Sequence, residues 1–310
     1  MPERAATRMR SQSGTDSSRV DRQAQPDLIT SRDNKWLKLF RSSLRGTGPG
    51  SGEPIGVEGP KLIEDAVRSG LEAEALLVSD TGERALERIL SAATQSETGI
   101  PRSRIFRTTD KLFSGVAGTE TPQGVAALFR PREWNLEDVL RGAPAPDGSR
   151  STEPGLVVVL AGVQDPGNVG TIARSAEAFG ATGAIAARGA ADPWSPKALR
   201  ASAGSALRLP LLRGLAIPVV LAQLKMAGVQ IVAAGTPSHE EAGQLAEIRA
   251  DFREQSAIFI GSEGAGLPPE VLHAADATIA IPISPAVESL NAAVAASVIL
   301  FEAARQRRMK

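Results

Sequence analysis

Five short, nearly continuous apolar runs in the second half of the chain restrict its fold more than any other feature. They are LVVVLA (156–161), GAIAA (183–187), VQIVAA (229–234), AIFIG (257–261) and TIAIPI (278–283). Apolar runs without polar alternation suit strands covered on both faces, the condition inside a parallel sheet. Stretches with helical spacing separate them. In TIARSAEAFG, Ile172, Ala176 and Phe179 share a face, and a final helix starting near Ser289 puts Leu290, Val294, Val298 and Phe301 on one stripe. Its end, EAARQRRMK, carries the cations that suit a helix C-terminus. Five strands with crossover helices predict an open α/β sheet, in which ligands sit at the carboxyl ends of the strands.

The first half has a coarser alternation. Residues 55–58, 75–78 and 125–129 are expected as strands, and 34–45, 60–69, 83–92 and 109–116 as helices, which makes a small α/β domain. Between the halves the run GAPAPDGSRSTEPG is rich in Pro, Gly and Ser and reads as a linker. The expected organisation is a tail over 1–27, a small domain over 28–131, a linker over 132–155 and the larger sheet over 156–310.

Composition narrows the chemistry. Cysteine is absent and only His239 and His273 supply imidazoles, so disulfides, thiolate catalysis, cysteine-held zinc and a multi-histidine metal site within one chain are excluded. Tyrosine is also absent, leaving Ser, Thr, Asn, Asp, Glu, Lys and Arg, or a cofactor with its own reactivity. The 35 basic and 35 acidic residues balance, so any positive surface for nucleic acid must be local. The polar N-terminal stretch lacks the apolar core of a signal peptide, and no run approaches a membrane span; a cytoplasmic protein with a disordered tail is expected.

Three loops at predicted strand ends are rich in Gly and in functional side chains. GVQDPGNVGTIARSAEAFG places Asn168 between Gly167 and Gly170, with Arg174 within about two turns of the new helix. IFIGSEGAGLPPEVL sets Glu263 among Gly261, Gly264 and Gly266, and IPISPAVESLNAAVA puts Ser289 and Asn291 at the start of the final helix. Singly, each residue has a plainer role open to it. Asn168 suits a turn, Arg174 a helix surface, Glu263 a loop and Ser289 an N-cap. Together they stand at three strand ends that converge on one crevice. No GxxxxGK[ST] is present, so a P-loop nucleotidase is excluded. The glycines of GSEGAG follow the fourth strand of the second half, whereas a Rossmann loop belongs after the first.

In order and spacing, NVGTIARSAEAFGA, IGSEGAGLPPEVL and IPISPAVESLNAAVA resemble the three motifs of the SpoU/TrmH branch of the SPOUT RNA methyltransferases, across residues 156–307. ITSRDNKWLKLFR, VEGPKLIEDAV and TETPQGVAAL resemble the substrate-binding domain that precedes the catalytic one in the ribosomal-RNA members. The chain departs from the pattern after Asn291, where Ala292 and Ala293 replace the commoner Val and Ser.

The resemblance implies a C-terminal trefoil knot, a homodimer with its active site near the subunit interface, and S-adenosylmethionine-dependent methylation of a ribose 2′-hydroxyl without metal. Ribosomal RNA is the substrate implied first. A transfer RNA, or a non-catalytic RNA-binding assembly role on the same scaffold, stands as the alternative. Carried over residue by residue, Gly235, Thr236, Gly261, Ile281 and Leu290 hold the cofactor, and Asn168, Arg174, Glu263, Ser289 and Asn291 form the reaction site, with Glu263 steadying Arg174. Arg174 is expected to act electrostatically, since a guanidinium is effectively never deprotonated in proteins. In the first half, Lys35, Lys38, Arg41 and Arg45 fall along one helical face opposite Leu37, Phe40 and Leu44; that face is either a track for RNA phosphates or a solvated surface.

Overall fold

The computed structural model describes residues 27–46, 48–50, 52–94, 100–145, 147–235 and 250–308. The expected tail, apart from Asp27, lies outside the described residues. Two sheets organise the rest. The first comprises β1 (Asp27–Leu28), β2 (Ile55–Glu58), β3 (Ala73–Ser79), β4 (Ile105–Thr108) and β5 (Val125–Phe129) in the order β1-β4-β3-β5-β2. β5 runs antiparallel to both neighbours, and the β3, β4 and β1 pairings are parallel. Its helices are α1 (Lys35–Arg45), α2 (Pro60–Arg68), α3 (Glu83–Thr94) and α4 (Asp110–Ser114). These match the expected elements to within a few residues; the sequence reading missed β1 and β4.

α1 shows how sequence becomes structure here. Asn34 caps it by accepting a hydrogen bond from the Trp36 N–H at 2.8 Å. Leu37, Phe40 and Leu44 recur at helical spacing and are fully or almost fully buried against the sheet. Each contributes about 1.5–3 kcal/mol by leaving water.

The second sheet contains β6 (Leu156–Ala161), β7 (Gly183–Ala186), β8 (Leu211–Arg213), β9 (Gln230–Ala234), β10 (Ser256–Gly261) and β11 (Ala277–Ile279), ordered β11-β9-β10-β6-β7-β8. Every neighbouring pair is parallel, and β6 is buried along its whole length. The sheet has six strands, not the five expected. β8 has three residues, too short to leave an apolar run in the sequence. β11 ends at Ile279, short of the expected 283. Pro282 has no N–H to extend the ladder, so the pairing cannot run on to 283.

Around this sheet lie α5 (Leu136–Arg141), α6 (Pro166–Ala178), α7 (Pro196–Ser202), α8 (Ser205–Arg208), α9 (Ile217–Met226), α10 (Pro269–Ala274) and α11 (Ala292–Arg308). α5 falls inside the stretch expected as linker. Asn135 and Asp138 close a capping box at its start, and Val139 is fully buried against β7.

α11 differs from expectation in start and in face. It begins at Ala292, and Ala292, Ala293, Ala296, Ile299, Leu300, Ala303 and Ala304 form its buried side. The expected stripe points out: Val294 is 50%, Val298 39% and Phe301 56% exposed. The alanines allow close approach to α6, where the Ser175 and Ser297 hydroxyls meet at 2.7 Å. Ile299 and Leu300 fill the inner side with these alanines, while Val294, Val298 and Phe301 are left exposed.

Near the end of α11, Arg307 donates to four backbone carbonyls: Pro154 at 2.5 Å, Gly155 at 3.0 Å, Phe252 at 2.7 Å and Glu254 at 3.1 Å. It ties the chain segments entering β6 and β10 to the final helix.

The two sheets share apolar surface. Trp194, Leu199, Ala206 and Leu207 lie in one buried cluster with Ile63, Val67, Ile89 and other side chains of the first half. Arg213 adds a polar tie, donating to the Pro49 carbonyl at 2.8 Å.

Candidate functional site

At the carboxyl ends of β6 and β10 the three motif loops meet. The first is turned by Asp165, whose carboxylate caps α6 by accepting from the Gly167 and Asn168 N–H groups at 2.5 and 3.1 Å. The other carboxylate oxygen of Asp165 accepts from Lys197 at 2.8 Å. The Lys197 ammonium and the Asn168 and Gly167 N–H groups hold the Asp165 carboxyl below its ordinary pKa, so it stays ionised at neutral pH. The sequence reading did not single out Asp165, although an Asp directly before Pro166 at a strand-to-helix turn is an N-cap signal.

With α6 so started, Asn168 bridges the other two loops. Its Nδ2 donates to Glu263 of the second loop, and its Oδ1 accepts from Asn291 Nδ2 of the third at 3.1 Å. Asn291 in turn caps α11, its Oδ1 accepting from the Ala293 and Val294 N–H groups at 2.9 and 3.3 Å. The chain Glu263–Asn168–Asn291 thus has one donor direction throughout and ends on a helix N-terminus.

Beside it opens a cavity of about 470 Å³. Gly235, Gly261, Ile281 and Leu290 line it, together with Glu263 and Ser289. Thr236 lies outside the described residues. Leu267, Leu272, Ile283 and Ile299 complete the apolar wall, and the sequence reading had named none of them. Gly261 is a close-approach glycine: a Cβ there would meet the backbone of Gly266 and Leu267 at 2.4–2.6 Å. The absence of that carbon lets the 261–266 loop fold back on itself, closed by paired hydrogen bonds between Ser262 and Gly266, both 3.1 Å. At Gly235 and Gly264 a Cβ would meet nothing within 4 Å, so backbone is bare on the cavity side of the site. The size, the apolar wall and the exposed peptide groups fit a nucleoside-bearing small molecule.

Arg174 does not join this group. It is exposed, and among the described residues its side chain has no hydrogen-bond or ion-pair partner. Six residues along α6 turn it about 120° away from Asn168, so the expected contact with Glu263 does not form within one chain. The α1 cations divide as well. Arg41 donates to the Gly115 carbonyl at 3.1 Å, and Arg45 to the Ala117 and Ser114 carbonyls at 2.9 and 3.2 Å. Lys38 pairs with Asp33 at 3.2 Å, and Lys35 lies 5.9 Å from the centre of the Trp36 ring. All four face away from the core, but the two arginines are tied to backbone.

Comparison with known proteins agrees with this geometry. Residues 155–301 match the SpoU rRNA Methylase family, and residues 54–127 match the MRM3-like substrate binding domain. The 23S rRNA (uridine(2479)-2′-O)-methyltransferase of Streptomyces viridochromogenes is 33% identical over 94% of this chain and 96% of its own length. The 23S rRNA (guanosine(2553)-2′-O)-methyltransferase RlmP of Bacillus subtilis is 30% identical over 79% of this chain and 86% of its own. Among solved structures, the AdoMet-bound rRNA methyltransferase of Sinorhizobium meliloti superposes with a TM-score of 0.71 at 29% identity, covering 90% of this chain and 97% of that one.

Proposed function

Because the chain belongs to the SpoU rRNA methylase family, we propose that it transfers a methyl group from S-adenosylmethionine to a ribose 2′-hydroxyl of RNA, ribosomal RNA foremost. The observation that carries this reading is the cavity at Gly235, Gly261, Ile281 and Leu290, opening beside the Glu263–Asn168–Asn291 chain. When bound, the cofactor supplies an electrophilic methyl group on a sulfonium, and no metal is needed. The protein's task is to hold a weak hydroxyl nucleophile in line and favour its loss of a proton. Asn168 and Ser289 orient the ribose, Glu263 fixes Asn168, and Asn291 fixes both the amide and the start of α11.

Arg174 stabilises the negative charge that develops on the ribose oxygen and grips a neighbouring phosphate. Its position supports a homodimer. The exposed Val294, Val298 and Phe301 stripe lies on the helix that packs against α6, and Phe301 meets Phe179, the residue that caps the end of α6, edge-on at 5.9 Å. A second copy covering that stripe brings each Arg174 to the other copy's crevice and completes the site.

The division of labour follows the sheets. The first sheet and its helices grip RNA, and the second sheet, with α5 packed on β7, carries the reaction, with the C-terminal segments drawn into the trefoil knot of the family. No described helix is long and apolar enough to cross a membrane, and the reading puts the protein beside ribosomal RNA in the cytoplasm.

Mapping ribose methylation in the host's ribosomal and transfer RNA, with and without this gene, tests the function. Loss of one ribosomal mark is expected. Loss of a transfer-RNA mark transfers the activity to that substrate, and no lost mark, with RNA binding intact, leaves an assembly factor. Calorimetry is expected to show S-adenosylmethionine binding that a chelator does not abolish.

A further inference from the structure

The proposed reaction leaves a second hollow on the same sheet edge without a task. A cleft of about 540 Å³ lies at the carboxyl ends of β7 and β8, lined by residues 186–193, Arg213 and Gly214, and on the other half by Pro49 and Gly50. Anything seated in it touches both halves of the molecule.

Its floor is fixed. The Arg213 guanidinium lies 4.6 Å over the centre of the Trp194 ring, donates to the Pro49 carbonyl at 2.8 Å and pairs with Asp192. That pair cancels its own charge, which leaves Arg188 as the cation that sets the sign of the cleft. Arg188 is exposed, and its side chain has no partner among the described residues. It stands on a turn closed from the Ala190 N–H to the Ala187 carbonyl at 3.0 Å, with Gly189 at φ 93°. A Cβ at Gly189 would meet nothing within 4 Å, so the peptide backbone beside Arg188 is open to close approach. A free guanidinium beside bare glycine backbone suits an anionic oxygen. It does not suit a base, because the one aromatic ring nearby, Trp194, is buried and covered by Arg213.

The cleft is also wired to the reaction loop. Ala187 N–H donates to the Leu160 carbonyl at 3.1 Å, and Ala191 N–H to the Val163 carbonyl at 2.9 Å, just ahead of Asp165 and Asn168. From the β6/β10 boundary to the β7/β8 boundary is two strand spacings, about 10 Å. The next few nucleotides of a bound strand span that distance.

We propose that this cleft is a backbone-phosphate subsite for RNA, in which Arg188 and the Ala187–Ala190 turn hold a phosphate a few nucleotides from the target ribose. The assignment rests on the RNA methyltransferase reading and deepens it. Such a contact carries register, not sequence. By seating RNA between Pro49–Gly50 and the second sheet, it aligns the strand held by the first half with the crevice at Asn168.

The test is RNA binding by the full-length protein across salt, with the host's transcribed 23S ribosomal RNA as the probe, for the parent, Arg188→Glu and Arg188→Lys. One lost phosphate contact lowers the slope of log K against log salt by about 0.7–0.9. For Arg188→Glu, that loss of slope is expected, with at least about tenfold weaker binding at low salt. Arg188→Lys keeps the slope and most of the affinity, and neither variant alters S-adenosylmethionine affinity, since Arg188 does not line that cavity. A parent that binds and an Arg188→Glu variant with unchanged slope and affinity overturns the subsite alone. A parent that neither binds nor methylates the RNA overturns the ribosomal reading and the subsite with it.

Discussion

Asn291 does two jobs, and substitution separates them. Its Oδ1 caps α11, while its Nδ2 donates to Asn168 at 3.1 Å. Asn291→Ala removes both. Loss of the cap costs about 1 kcal/mol. The hydrogen bond is exposed, so its net worth is at the low end of the usual scale, about 0.5 kcal/mol. The total, about 1.5 kcal/mol, lowers the melting temperature by roughly 3–6 °C for a unit of this size. Asn291→Asp keeps an oxygen for the cap and places negative charge at a helix N-terminus, which the dipole favours. It cannot donate to Asn168. Whichever way the Asn168 amide turns, one oxygen then faces either Glu263 or the new carboxylate. We expect Asn291→Asp to melt within about 1 °C of the parent and to lose about 10²-fold in methyl transfer through a misplaced ribose. Thermal unfolding by circular dichroism and single-turnover methylation are the two assays. If Asn291→Asp is as unstable as Asn291→Ala, or as active as the parent, the division between cap and relay is wrong.

Other consequences can be checked alongside. Arg174→Lys should retain measurable transfer with a loss of ~2–4 kcal/mol in the transition state, and Arg174→Ala should be worse. A lysine variant that regains parental rates as pH rises would instead make residue 174 the base. Gly261→Ala places a methyl against the Gly266 backbone, so calorimetry should show cofactor binding weakened or lost while far-UV dichroism is preserved. Burial alone would raise the Glu177 carboxyl, but the two-pronged contact from Arg208, at 2.7 and 2.6 Å, lowers it on balance. That pair therefore adds stability above the ordinary glutamate value of 4.5, lost as pH falls through the lower folded value; Glu177→Gln should flatten the acid side of the melting-temperature profile. Removing the first half bares Trp194, Leu199 and Leu207, so an isolated second half should melt lower and self-associate by light scattering. A cut after residue 150 should be worse than one at 131, because it also strips Val139 from β7.

Much of this architecture was legible because fully covered parallel strands leave apolar runs that little else imitates, as at 156–161 and 257–261. The three loops were legible because Gly, Asn and Glu recur there in a family order. What escaped was short or relational. β8 has three residues, and the capping Asp165 looks like any loop acid until Lys197 is set beside it. The α11 stripe misled for a physical reason: periodicity identifies a helix face but not which face is inward. Five alanines with Ile299 and Leu300 took the inward side, and Val294, Val298 and Phe301 were left exposed. Arg174 likewise turns away from Glu263 by an angle that motif spacing alone does not display.

The Arg307 clamp has a consequence for how the chain is made. The guanidinium that fastens Pro154 and Gly155 lies 153 residues downstream of the first of them. At ordinary synthesis rates β6 therefore waits about 8–30 s after leaving the ribosome before its clamp emerges. Throughout that interval the face of β6 that packs with Ala296 and Ile299 of α11 is covered only in part, by Val169, Ile172 and Ala176 of α6. A long-range closure of this kind is slow, so the nascent second half is the stage most exposed to aggregation and to chaperone capture. Translation that stalls within α11 should leave far more insoluble product than a stall at the end of β5.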